Sequence, residues 1–212
     1  MQHVEGMGIL KVRPATLADL GSIAELIHSA GPAHYDYMHA TATSNSLDYI
    51  RHEFASGRGF VGHRNVTVAE KNGWVIATGC FYNGRAFHHL LLGTVLNMIS
   101  FHGPIKVWLV LLRGHQVDRV MSQPGRREMY LSSFGVDPAQ RSTGVGSAMI
   151  RLKLDQARAS GHQVFSLDVA DDNPRAEALY TRLGLKITQR NAFFGHRRDI
   201  VVPNSKKMEL VL

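Results

Sequence analysis

The stretch Met129–Gly146, M-Y-L-S-S-F-G-V-D-P-A-Q-R-S-T-G-V-G, decides how this chain is read. Its first eight residues are apolar and β-prone, Asp137-Pro138 breaks them, and a basic loop follows that ends in two glycines. Helical spacing then resumes through Val145, Ala148, Met149 and Leu152. A strand, a loop and a helix N-terminus in that order make an anion site. The first amides of a helix have no intrahelical partner, and the helix dipole favours negative charge there. Gly144 and Gly146 allow close approach by a ligand, and Arg141 adds a charge-assisted bond.

Downstream, Ser160-Gly161 stops that helix, Val164–Val169 reads as a strand, and Asp171-Asp172-Asn173-Pro174 is a turn that starts a helix over Arg175–Leu183. Leu185–Phe194 and Lys207–Leu212 read as two last strands, with Gly195-His196-Arg197-Arg198 between them. Upstream, Ile9–Arg13 reads as a first strand ended by Pro14, and Thr16 with Asp19 is a capping signal. A helix face follows through Leu20, Ile23, Leu26 and Ile27, closed by Gly31-Pro32. Ala33–Ser46 reads as short helix and loop, and Leu47–Phe54 as a helix. Val66–Glu70 and Trp74–Tyr82 are strands whose Lys71-Asn72-Gly73 junction predicts a hairpin.

Arg85–Arg119 holds the most apolar segments, Leu90–Phe101 and Ile105–Leu112, parted by His102-Gly103-Pro104. They predict a helical hairpin laid over the sheet. One reading is a core-covering or dimer-forming insertion; the other is a membrane-surface or hydrophobic-substrate element. Neither half reaches the ~18 apolar residues of a bilayer span. The whole order, β-α-α-β-β-insertion-β-α-β-α-β-β, predicts an α/β protein with a mixed sheet and helices on its faces, in a single domain over 1–212.

With 44% hydrophobic and 19% charged residues, the chain is not of the disordered class. Its formal net charge of +7 suits an anionic ligand without choosing one. A single cysteine, Cys80, excludes an internal disulfide and an all-Cys metal site. With no signal-peptide pattern in the first residues, the expectation is a cytoplasmic protein. His88-His89 lacks the spacing of a zinc helix, so no metal site is expected. No basic helix or aromatic platform favours nucleic acid.

Which anion the loop holds is a matter of spacing. A P-loop needs a Gly-Lys pair that this chain lacks. A dinucleotide fingerprint needs a small residue where Met149 stands and a tight turn that the Val136–Gly144 spacing denies, although Asp168 mimics the ribose-binding acid. The chain resembles the GNAT N-acetyltransferase superfamily instead. Val136-Asp137-Pro138 followed by Arg141-x-x-Gly144-x-Gly146 matches its first signature. Leu167-Asp168-Val169, Asn173, Ala178-Leu179-Tyr180 and Leu183-Gly184-Leu185 match its second, with Leu185 where the family usually has Phe.

The resemblance implies a twisted sheet with two splayed parallel strands and an acyl-CoA site. The acetyl-CoA pyrophosphate is then expected on Arg141, Ser142, Thr143, Gly144, Val145, Gly146 and Ser147. The pantetheine arm is expected along Phe134, Gly135 and Val136, pairing like an added strand, with Asn173 as a further contact or simply a helix cap. Gly135 is consistent with close approach by that ligand. Tyr180 occupies the general-acid position, and a phenol suits an alkyl thiolate leaving group. Some members carry a strand glutamate where this chain has Ser132. Asp168 stands where the superfamily's ribosomal-protein acetyltransferases carry a Glu acting through water, as a possible base or a structural hydrogen bond. Glu70, Glu128, His88 and His89 are weaker candidates, and members that use ordered water need no dedicated base. Tyr35, Asp36 and Tyr37 are candidates to recognise an amine acceptor. The expected reaction is direct acetyl transfer to a primary amine in a ternary complex; the alternative is a CoA-binding sensor of the same fold without turnover.

Overall fold

The computed structural model describes residues 10–41, 44–197 and 199–212. Ile9, at the start of the expected first strand, and Arg198 lie outside the described residues. The elements run β1 Lys11–Pro14, α1 Leu20–Ser29, α2 Pro32–His39, α3 Ser46–Ser56, β2 Val66–Lys71 and β3 Trp74–Tyr82. They continue with α4 Gly84–Val117, β4 Glu128–Val136, α5 Val145–Ala159, β5 Val164–Ala170, α6 Pro174–Arg182, β6 Lys186–Asn191 and β7 Ser205–Val211.

Seven strands form one mixed sheet in the order β1-β2-β3-β4-β5-β7-β6. Every neighbouring pair is antiparallel except β4 and β5. The first hairpin turns at Asn72 and Gly73, with φ of 52° and 81°, the left-handed pair that Asn-Gly supplies at least strain. At the chain's start Arg13 reaches Asp19 at 2.8 Å and Glu70 at 2.7 Å, and Asp19 also accepts from the Thr16 amide. Those contacts pin β1 and the entry to α1.

The core divides by sheet face. On one face, Ile23 and Ile27 of α1 and Ile50 and Phe54 of α3 pack on Val66, Val68, Cys80 and Tyr130. On the other, α5 and α6 supply Ile150, Leu154 and Tyr180 against Leu131, Phe165 and Leu167. Each of these buried aliphatic side chains contributes roughly 1.5–3 kcal/mol by leaving water.

The predicted hairpin needs a correction in its placement. α4 is broken at Gly103, where φ is 77° and ψ 165°, just before Pro104. Proline removes an intrahelical bond and the preceding glycine accepts the outlying backbone angles. Only the start of the first half, at Ala86, Phe87 and Leu90, packs on the sheet, beside Tyr82 and Tyr130. Beyond it the two halves pack against α2 and α3: Met98 before the break joins Val107 and Val110 after it around Tyr49. Gly93 meets the Gly59 backbone so closely that a Cβ would strike its nitrogen at 2.5 Å, and Thr94 Oγ1 accepts from the Phe60 amide at 3.0 Å. By length and composition alone the 84–120 stretch passes for a membrane-crossing helix, an 18-residue window within it reaching a mean hydropathy of 1.5.

β6 also ends earlier than the expected Phe194, at Asn191. Among the described residues, 192–197 and 199–204 belong to no strand or helix. Phe193 donates its amide to the Asn204 side chain, and Arg197 reaches the Asp36 and Tyr37 carbonyls of α2.

Candidate active site

Strands β4 and β5 run together only from Glu128↔Val164 to Leu131↔Leu167. Beyond that pair β4 keeps its bonds to β3 but none to β5, so a fork opens between Ser132–Val136 and Asp168–Ala170. A bulge sits at the fork: Ser133 has φ of 49°, and the β3–β4 register shifts between Thr78 and Cys80. A bulge inserts a residue and bends its strand, which turns β4 away from its parallel neighbour.

The loop 137–144 leads from β4 to α5 along one side of the fork. Asp137 caps a short 3-10 turn through the Ala139 amide, and Ser142 and Gly144 take positive φ of 64° and 90°. Among the described residues, the N–H groups of Ser142, Thr143, Gly144, Val145, Gly146 and Ser147 make no hydrogen bond within the protein. Six consecutive unbonded donors at a helix start form an anion cradle. Arg141 folds back so that its Nε donates to the Val136 carbonyl at 3.0 Å. Arg175, read from the sequence only as the start of a helix, donates to Ser142 Oγ at 2.9 Å and brings a second guanidinium to the loop. No local spacing signals that meeting.

Gly135 has a different reason from the expected one. A Cβ there would collide with the Leu26 carbonyl of α1, so the glycine admits a packed helix on that side, whatever pairs with its backbone. Phe134 turns its ring toward Gly146 and Leu179. Asn173 caps α6 by accepting from the Ala176 amide at 3.1 Å. Tyr180 packs in one cluster with Leu131 and Leu167, the last pair before the fork, and is 6% exposed. Its hydroxyl makes no hydrogen bond to a described residue, and burial pushes its pKa up. It therefore stays protonated at neutral pH, as a proton donor must.

The other side of the fork opens into a cavity of about 290 Å³. It is walled by α2, α3 and both halves of α4, with Ser132, Ser133 and Asp168 at the fork end. Of the expected recognition residues, Tyr35 lines the cavity and bonds Ser133 Oγ at 2.8 Å. Asp36 pairs with His28 at 3.0 Å and with Ser46, while Tyr37 is buried against Phe193 and Gln116. Those two side chains hold α2 in place.

Asp168 receives the Ser122 amide at 2.6 Å, the Ser122 hydroxyl at 2.9 Å, the Tyr130 hydroxyl at 2.6 Å and Asn191 at 3.4 Å. Burial nevertheless raises its pKa above the ordinary carboxylate value. His34, also in the wall, is lowered by burial, with Asp172 pulling the other way. Ser132 Oγ is buried beside Cys80 and the Tyr82 hydroxyl without a well-formed hydrogen bond to either.

A residue missed in the sequence is Glu53, 1% exposed in the cavity wall. It accepts from the Tyr49 hydroxyl at 2.5 Å, Thr94 Oγ1 at 2.6 Å and the Val61 amide at 3.3 Å, and burial raises its pKa. The signal was present: Glu53 falls on the same helical face as Tyr49 and Ile50, four and three residues earlier. Of the weaker base candidates, Glu128 is tied to Ser166 and Lys207 and Glu70 to Arg13, while His88 and His89 stand exposed on α4. Among the described residues, no three His, Cys, Asp or Glu side chains gather as a metal site.

A model of the acetyltransferase (GNAT) family matches residues 32–185. Mycothiol acetyltransferase of Mycobacteroides abscessus is 33% identical over 85 residues, a match spanning 40% of this chain and only 28% of that protein. Among solved structures, an N-acetyltransferase from Staphylococcus aureus Mu50 superposes with a TM-score of 0.64 at 15% identity, covering 94% of this chain and 100% of that one. The structure of yncA from Salmonella typhimurium with its cofactor acetyl-CoA superposes at 0.53 and 20% identity, covering 95% and 93%.

Proposed function

Because the chain belongs to the acetyltransferase (GNAT) family, we propose that it is an N-acetyltransferase that moves the acetyl group of acetyl-CoA directly to a primary amine in a ternary complex. The observation that carries this reading is the fork. An added extended ligand can pair with the unbonded edge of β4 beyond Leu131, with its phosphates on the free amides from Ser142 to Ser147 and its reactive end beside the cavity.

In this reading the neutral amine nitrogen attacks the thioester carbonyl carbon, a C–N bond forms as the nitrogen gives up a proton to solvent, and the C–S bond breaks. The departing thiolate takes its proton from Tyr180, which the solvent then reprotonates. The amine must first lose a proton. Asp168, raised by burial above the ordinary carboxylate value, and His34, which burial favours in its neutral, proton-accepting form, are the cavity groups that can take that proton. The acceptor's body rests against Met38, Phe87, Met98 and Leu111, which suits an amine carried on an apolar frame.

Calorimetry with acetyl-CoA is the first test, and no heat at millimolar cofactor would sink the proposal. Thiol release across small amines, aminoglycosides, amino acids and peptide N-termini then identifies the acceptor. Comparing the pH profiles of Asp168→Asn and His34→Gln identifies the base as the residue whose loss removes the acidic limb.

A further inference from the structure

Both halves of α4 bury one face and expose another that is equally apolar. Val107 and Val110 face inward, while Ile105, Trp108 and Leu112, at positions i, i+3 and i+7, point to solvent at 87%, 69% and 65% exposure. Before the break Leu92, Leu96 and Ile99 repeat the arrangement around the buried Thr94 and Met98. An apolar stripe on this scale marks a contact surface rather than scattered surface residues.

We propose that this outer face of α4 docks on an anionic lipid surface, lying in the plane of the headgroups. Charge complementarity chooses the occupant. No Asp or Glu occurs between Glu70 and Asp118, and α4 exposes Arg85, His88, His89 and Lys106 beside the apolar stripe. A second copy of the chain, brought up by a two-fold axis, would set one basic helix face against another with no acidic residue of α4 to pair with it. Anionic headgroups complement the basic residues of this face, and an exposed tryptophan on the same helix suits the water–lipid boundary. The break at Gly103 and the packing of both inner faces on α2 and α3 keep the helix on the bilayer rather than through it. The cavity lies directly beneath, since Met98 and Leu111 of the same helix line its wall.

Vesicle co-sedimentation tests this independently of acetyl transfer. The protein is mixed with phosphatidylcholine vesicles with and without about one third phosphatidylglycerol. The expected result is binding to the anionic vesicles that weakens with added salt and falls about tenfold in Trp108→Glu/Leu112→Glu. In a Trp74→Phe background Trp108 is the remaining tryptophan; its emission should shift to the blue only with anionic vesicles. That readout serves if the double variant fails to fold. No binding, equal binding to both vesicle types, or a dimer in light scattering that Trp108→Glu dissolves would overturn the proposal.

Discussion

Beyond Leu131, β4 borders two differently built surroundings. Toward α5 the groups offered to a ligand are backbone amides of one contiguous run, Ser142 to Ser147. Toward α2, α3 and α4 they are side chains from places as distant in the chain as His34, Glu53, Met98 and Asp168. Backbone donors demand only a conformation, so many sequences with glycine in the right place provide them. A cavity wall demands particular shapes and charges and changes with each substitution. The first surrounding suits the part of a reaction shared by a family, and the second the part belonging to one protein.

The comparison breaks most sharply at Tyr180, which in the proposed reaction serves any acceptor. Tyr180→Phe should lower turnover about 10²–10⁴-fold for every amine while calorimetry shows acetyl-CoA affinity unchanged. Equal turnover would remove it as the acid. Next comes Gly144, whose φ of 90° a branched side chain resists. Gly144→Val should weaken acetyl-CoA binding about tenfold or more, from roughly 1–3 kcal/mol of backbone strain, again without regard to acceptor. Met98→Trp, which fills the cavity from α4, should do the reverse: about a tenfold loss of kcat/KM for the bulkiest acceptor, with acetyl-CoA affinity intact. If it instead weakens the cofactor, the two surroundings are not separable.

Two smaller effects concern stability. Thr94→Val removes a donor to buried Glu53 and the acceptor for the Phe60 amide, and should cost about 1–3 kcal/mol in denaturant unfolding. Asp19 lies against the Arg13 guanidinium, chiefly through their hydrogen bonds, which hold its pKa down at about 2, below the ordinary 3.8. Its folded value is the lower one, so the stabilisation is present above about pH 4 and is lost as pH falls toward 2. Asp19 is 8% exposed yet near the surface, so screening leaves about 1–2 kcal/mol. Asp19→Asn should lower stability at pH 7 by that amount and flatten the acid limb of the melting profile.

The legible parts of the fold were those with local causes. Asn72-Gly73 turned as its backbone preferences require, Asn173-Pro174 began α6, and the break in α4 fell at Gly103-Pro104. Illegible parts had partners remote in the chain. Nothing near Arg175 announced Ser142, and nothing in β4 announced that Gly135 clears the way for the Leu26 carbonyl. Glu53 was readable as a carboxylate on a buried stripe, but its three donors were not.

By itself, then, the sequence determined the loop from Val136 to Gly146 and the strand–helix alternation around it, because glycine, proline and hydrophobic period act over a few residues. Only the tertiary structure decided where β4 parts from β5, what occupies each side of that fork, and which face of α4 is left to solvent. Those outcomes depend on Ser133 bending one strand against another and on helices competing for the same apolar surface, which no window of sequence contains.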